Sequence, residues 1–345
     1  MKKRALILAM AGILSTSLTG CGSLKDDAVV VKAGDTEITA GVANFYARYT
    51  QAQYETYLSG YLGGDDMWSK NASDGKTYEE SIKDTLLDDL KNMALLEEHM
   101  DEYKVSLTKA DKKAVNDAAK EFDKANSKKV KDKISASKEN IKRTMTLMTI
   151  EQRMRKAIVA DADVKVSDED AAQKSMQYLL FSYTTTDDSG ESKTLSDDEK
   201  EALKTTAQAF DDRLKGGEDM ETVASAAGLT AQTATFDSES TSPDKDLIAA
   251  ADALTNAGDV TDIIETKNGI YIAKLTSLLD REATDSKKES IVSERKQEQY
   301  DSLLEQWKKD TKIKEEKKVW KKISFEKQGV TIKTSDTSDT SDSQN

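Results

Sequence analysis

The chain has 345 residues, enough for two domains of ordinary size, each with its own core. Apolar residues make up 37% and charged residues 33%, with a formal net charge of -13. That acidic balance excludes nucleic acid as an expected partner, because phosphate neutralisation needs a basic face, and it leaves no broad basic patch for an anionic lipid surface.

In chain order, Lys2, Lys3 and Arg4 precede an apolar run over residues 5–14. The run is shorter than the roughly 20 apolar residues a membrane-spanning helix needs, and it reads as a secretory leader. Leu18-Thr19-Gly20-Cys21 resembles a bacterial lipobox. This implies that residues 1–20 are a signal peptide, that Cys21 is lipidated, and that residues 21–28 tether the chain to the extracytoplasmic face of the cell membrane. Simple leader cleavage, leaving Cys21 free or disulfide-bonded, is the alternative. Cys21 is the only cysteine, so no intrachain disulfide is available and the exported domains must rely on packed cores.

Residues 29–39 read as two short β runs about Gly34-Asp35, with Thr39 placed to cap the following helix. That helix carries Val42, Phe45, Tyr46, Tyr49, Tyr57 and Tyr61 at helical spacing. The stripe reads as packing, with tyrosines in a peptide-contacting groove as the alternative. Residues 60–76 read as a long Gly/Asp loop. Helices follow over 78–103, 108–122 and 137–159. Their stripes include Met93, Met100, Met145 and Met148, either ordinary core or the flexible surface of a promiscuous binder. His99, the only histidine, sits on a helix face among Glu97, Glu98 and Asp101, and reads as an exposed or capping residue. No metal site and no Ser-His-Asp set can be assembled around it, and no Gly-rich phosphate loop implies a cofactor.

Helical periodicity stops over 164–170. A strand over 176–183, a polar loop over 184–196, helices over 197–215 and 220–227, a strand over 233–236 and a helix over 246–254 come next. Two β runs, 260–266 and 270–275, then flank Asn268-Gly269, a strong hairpin-turn signal. A charged helix over 286–322 carries Tyr300, Leu303, Leu304 and Trp307 on its apolar side, and residues 319–325 read as a terminal β run that pairs back onto the N-terminal part. The single proline, Pro243, fits long uninterrupted helices outside the hairpin region. Residues 334–345 contain no apolar side chain and are expected to be disordered.

The opening at 29–39, its helix, and the Leu-rich helix ending in Glu102-Tyr103-Lys104-Val105-Ser106-Leu107-Thr108 resemble the N-terminal chaperone domain of exported foldases of the PrsA and SurA type. Ala33 stands where that opening carries Asn. The element order over 176–275, the helical stop Leu214-Lys215-Gly216-Gly217-Glu218-Asp219-Met220 and the closing hairpin resemble the parvulin peptidyl-prolyl isomerase domain. The resemblance implies an α+β fold: a mostly helical chaperone domain built from residues 29–163 and 280–333, with a small parvulin-like domain of antiparallel sheet and helices inserted at 164–279. It implies unfolded exported polypeptides as partners, and it is compatible with a homodimer. In the parvulin family two His residues on adjacent strands, with a Cys or Asp and a Ser or Thr nearby, form a polar floor beside an apolar slot for the proline ring. The His positions fall on Tyr178 and Tyr271, the loop bearing the Cys or Asp is shortened to residues 228–236, and Leu247, Met220 and Phe236 are the candidate substrate-binding side chains. Two readings stand. A tyrosine pair retaining a hydroxyl–hydroxyl hydrogen bond would leave weak isomerase activity, whereas packed strand aromatics would leave a domain that binds chain without isomerising it. A solute-binding lipoprotein would need two α/β lobes, which a single small β module does not supply.

Overall fold

The computed structural model describes residues 13–17, 24–62, 64–72, 75–186, 190–326 and 328–332. Cys21, most of the leader and the 334–345 tail lie outside the described residues. The fold is α+β, and its contacts divide it into two compact units: residues up to Ala162 together with those from Gln297 onward, and Asp163–Lys296 between them.

The first unit begins with β1 (Ile13–Ser17), on the end of the run expected to be a leader, then β2 (Val29–Ala33) and β3 (Thr36–Thr39). Gly34 at the β2–β3 turn has φ +58°, and a Cβ there would come within 2.3 Å of the Glu98 carboxylate. That carboxylate accepts from the backbone N of Asp35 and from the N and Oγ1 of Thr36, which pins the turn. Next come α1 (Ala40–Tyr57), α2 (Ser59–Leu62), α3 (Tyr78–Glu98), α4 (Lys109–Ala125), α5 (Lys128–Lys133) and α6 (Lys138–Ile158). Thr39 occupies the N-cap of α1, but its side chain makes no cap bond. Thr77 and Thr108 instead form capping boxes with Glu80 and Asp111, each satisfying two end groups reciprocally.

The segment read as a long loop is folded in its middle. Gly64–Ser69 is a 3₁₀ turn that buries Met67 and Trp68, with the Trp68 Nε1 donating to Glu55 Oε1 at 2.8 Å and its ring 4.7 Å from that of Phe325. Of the methionines in these stripes, Met93 and Met145 are buried, and Met100 and Met148 are half-buried against the same clusters, so the stripes supply core volume. His99 ends α3 as its C-cap, with its ring stacked 4.1 Å from that of Trp307 and Nδ1 2.6 Å from Glu102 Oε1.

The second unit holds β4 (Lys174–Ser182), β5 (Thr184–Thr186), β6 (Ser192–Thr194), α7 (Asp197–Lys215), α8 (Met220–Ala226), β7 (Gln232–Phe236), α9 (Lys245–Asp252), β8 (Ile264–Glu265) and β9 (Gly269–Ser277). Its antiparallel sheet has the order β7-β4-β9-β8, and the β5–β6 ladder stands in what reads as a polar loop. Strand alternation assigns the two faces. Leu179, Phe181, Ile270 and Ile272 pack with α7 and α8, while Met176, Tyr178, Tyr271, Ala273 and Leu275 pack with α9. The hairpin turn is centred on Lys267-Asn268 rather than Asn268-Gly269, with Thr266 N donating to Gly269 O at 2.9 Å. Gly269 already belongs to β9. Its φ is +152°, and a Cβ there would lie 2.2 Å from the Phe181 carbonyl oxygen, so glycine permits the close approach to β4.

The chain closes with α10 (Arg281–Asp310), β10 (Ile313–Glu315), α11 (Lys317–Trp320) and β11 (Gln328–Ile332). Residues 281–296 of α10 count with the second unit. They are tied there by Gln173 N donating to Thr284 Oγ1 at 3.1 Å, by Lys287 on Asp237 at 3.1 Å and by Arg281 on Asp168 at 2.8 Å. Residues 319–325 are not a strand. Trp320, Ile323 and Phe325 are all buried, a pattern a helical turn satisfies and strict alternation does not. The strands lie on either side of this segment, with β10 pairing with β2 and β11 pairing with β1.

Candidate functional site

The α9 face of the sheet gathers four of the five candidate site side chains. β4 and β9 are antiparallel neighbours with Tyr178 opposite Ala273 and Leu180 opposite Tyr271, so the two tyrosines are diagonal partners on one face. Their rings lie 6.0 Å apart, tilted by 50°. Phe236, at the end of β7, and Leu247, in the first turns of α9, pack into the same cluster, both fully buried. Tyr178 is 7% exposed and Tyr271 3%, so neither opens onto a cleft.

Met220 stands apart. It begins α8 and is buried among Leu179, Val223 and Ile270 on the opposite face of the sheet, where it cannot share a slot with Leu247. The physical reason is local: Asp219 caps α8 through the backbone N of Glu221 and Thr222, and this turn aims the first apolar residue of the helix at the α7 side.

The two hydroxyls differ. The Tyr178 hydroxyl donates to Gln232 Oε1 at 2.7 Å, across to β7. The Tyr271 hydroxyl has no hydrogen-bond partner shown among the described residues, and the two phenols do not bond to each other. Burial pushes the Tyr178 phenol above its ordinary value, and burial pushes Tyr271 up as well, helped by the nearby negative charge of Asp244 and by Tyr178. Both phenols are therefore neutral at neutral pH. A neutral phenol can donate one hydrogen bond to an amide oxygen or nitrogen but cannot act as a base. An isomerase needs such donors beside an open apolar slot, because resonance must be broken over a barrier of about 18 to 20 kcal/mol without covalent chemistry. Here Phe236, Leu247 and Ile248 pack in the same buried cluster as the two rings, and the Tyr178 hydroxyl is directed at Gln232.

Gln232 was not singled out from the sequence. The signal that points to it is its place at the start of a strand pairing with β4, where Gln232 stands opposite Tyr178. At the other end of that ladder, Asp237 is held at about 2. Burial alone would raise it, but hydrogen bonds from Gln173 and Ser240 and the ammonium of Lys287 overrule the burial. Among the described residues no group of three or more His, Cys, Asp or Glu side chains could hold a metal ion, and no helix is long and apolar enough to cross a membrane.

In the first unit the residues with the most exposed apolar surface are Tyr57, Leu58 and Tyr61. An open groove of 920 Å³ also runs there between α3 and the segment after β10, lined by Leu87, Lys83, Lys91, Glu79, Trp320 and Glu315.

Comparison with known proteins adds three findings. Residues 188–287 match the family described as the PPIC-type PPIASE domain, entirely inside the second unit. The chain is similar to the foldase protein PrsA of Clostridium tetani, 25% identical over 341 residues, covering 91% of this chain and 96% of that protein. Among solved structures it matches the foldase PrsA of Streptococcus pneumoniae at 16% identity, 75% of this chain, 99% of that chain and a TM-score of 0.31. It also matches a SurA-like chaperone of Campylobacter jejuni at 12% identity, 84% and 99% coverage and a TM-score of 0.29.

Proposed function

We infer that this chain, a foldase of the PrsA/SurA type, holds unfolded exported polypeptides at the outer face of the membrane and has a parvulin-type domain whose isomerase chemistry is weakened or absent. In this reading residues 29–163 and 280–333 form the holding domain, residues 164–279 the inserted domain, and Cys21 carries the lipid that anchors the chain. The observation that carries the weakened chemistry is the packing of the α9 face. Tyr178 and Tyr271 stand where the family has its His pair, both are buried, and Phe236 and Leu247 fill the space beside them. The matching domain and the chain-length similarity to a foldase support the rest of the reading.

An active prolyl isomerase is the second reading. It is favoured by one observation, the Tyr271 hydroxyl, which has no partner shown among the described residues and so could serve an amide if α9 moved aside.

The holding role is tested by light scattering of an unfolded client diluted from denaturant. Stoichiometric protein is expected to suppress aggregation, and unchanged aggregation at that ratio contradicts the reading.

A further inference from the structure

β11 is a strand whose two edges are satisfied in different ways. On one edge, Val330 N donates to Glu55 Oε2 at 2.6 Å and Ile332 N donates to Thr56 Oγ1 at 2.8 Å, so side chains of α1 stand in for a neighbouring strand. Alternation along a strand turns the main-chain groups of Gly329 and Thr331 to the other edge. That edge is covered by β1, in antiparallel register from Ile13 opposite Ile332 to Ser17 opposite Gln328. Val330 is buried in the cluster of Phe45, Tyr49 and Phe122, which fixes β11 on the unit whatever lies on its far side.

A further feature marks this edge. Residues 328–332, Gln-Gly-Val-Thr-Ile, contain no charge and no proline, the devices that normally blunt a strand edge against pairing.

We propose that the β1-covered edge of β11 is a strand-acceptor site for an extended segment of another polypeptide, which the chain's own leader fills until it is removed. The proposal deepens the reading of the chain as a holder of unfolded polypeptides and rests on that reading and on leader removal before Cys21. The occupant is an uncharged extended segment of the kind that β1 itself exemplifies, Ile-Leu-Ser-Thr-Ser. Its main chain pairs with Gly329 and Thr331. Main-chain pairing supplies affinity with little demand on sequence, which suits a partner that is unfolded and varied.

The test uses the full chain and the processed chain beginning at residue 21 with Cys21→Ser, and a fluorescein-labelled Gly-Ile-Leu-Ser-Thr-Ser-Gly peptide read by anisotropy. A tethered leader competes at an effective concentration in the millimolar range, so the full chain is expected to bind the peptide about tenfold more weakly, or less, than the processed chain. Methylating alternate amides of the peptide is expected to abolish binding, as is Thr331→Pro, which removes a donor from the open edge and leaves the bonds of residues 330 and 332 in place. Should Thr331→Pro unfold the unit by circular dichroism, the methylated peptide decides. Equal binding by both chains, or binding indifferent to methylation, overturns the proposal. Absence of peptide binding by a processed chain that still suppresses client aggregation also overturns it and leaves the holding role intact, whereas loss of both removes the holding role as well.

Discussion

The two faces of the β7-β4-β9-β8 sheet are made by the same two central strands, yet they carry different chemistry. The α7/α8 face is closed by Leu179, Phe181, Ile270 and Ile272 against Leu214, Met220 and Val223, while the α9 face closes over two phenols, Tyr178 and Tyr271. Nothing in the backbone separates the faces, since alternate residues of β4 and β9 feed one and then the other. The difference teaches that this face is built as core. Tyr178 and Tyr271 bring large rings that α9 covers, and one hydroxyl is spent on a cross-strand bond to Gln232.

If the α9 face is core to the same degree as its opposite, removing a fully buried ring from it must be expensive. Phe236→Ala is expected to destabilise the protein by about 3 to 5 kcal/mol in equilibrium urea unfolding. A loss below about 1 kcal/mol, the usual range of a surface change, would break the comparison and mark the face as an open groove.

The two hydroxyls sharpen the comparison further. Tyr178→Phe leaves Gln232 Oε1 without its donor and is expected to cost about 1 kcal/mol. Tyr271→Phe removes a hydroxyl for which no bond is shown among the described residues, and is expected to change stability by less than about 0.5 kcal/mol. Equal losses in thermal or urea unfolding would mean that the Tyr271 hydroxyl has a partner after all.

The last expected effect is confined to acid pH and lies at the edge of the sheet, where the Lys287–Asp237 ion pair joins the end of β7 to the start of α10. Asp237 is held at about 2 against an ordinary value of 3.8, so its contribution is complete above the ordinary value and is lost as pH falls through 2. Asp237→Asn is expected to flatten stability between about pH 4 and 2 and to leave its shape unchanged near neutrality. An unaltered acid limb would show that Lys287 and Gln173 do not favour the ionised carboxylate.

Much of the second unit was legible in the sequence because its signals are local. Ser196 and Glu199 form a capping box that starts α7 at Asp197, and Gly217, at φ +91°, follows its C-cap, so both bounds follow from local chemistry. The turn was misplaced by one residue. Asn268-Gly269 is a strong turn pair, but Gly269 is used here for close approach to Phe181, a demand from a strand more than eighty residues earlier. In the first unit, the end of the expected 286–322 helix at Asp310, with β10 following it, and the burial of Met67 and Trp68 were not legible. Both depend on long-range partners, β2 for β10, and Phe325 and Glu55 for Trp68, that no window of sequence contains. That Tyr178 and Tyr271 share a face follows from the β4–β9 register, and at the candidate site only the alternation within each strand was legible. The separation of Met220 from Leu247 was not, because it depends on which side of the sheet each helix crosses.

The most direct test of the account is prolyl isomerisation itself, followed by a protease-coupled assay on peptides with several residues before the proline, with wild type and the Tyr178→Phe, Tyr271→Phe double variant in parallel. A closed tyrosine face predicts rates at or near the uncatalysed rate, equal for the two proteins. Clear catalysis by the wild type that the double variant loses would contradict it.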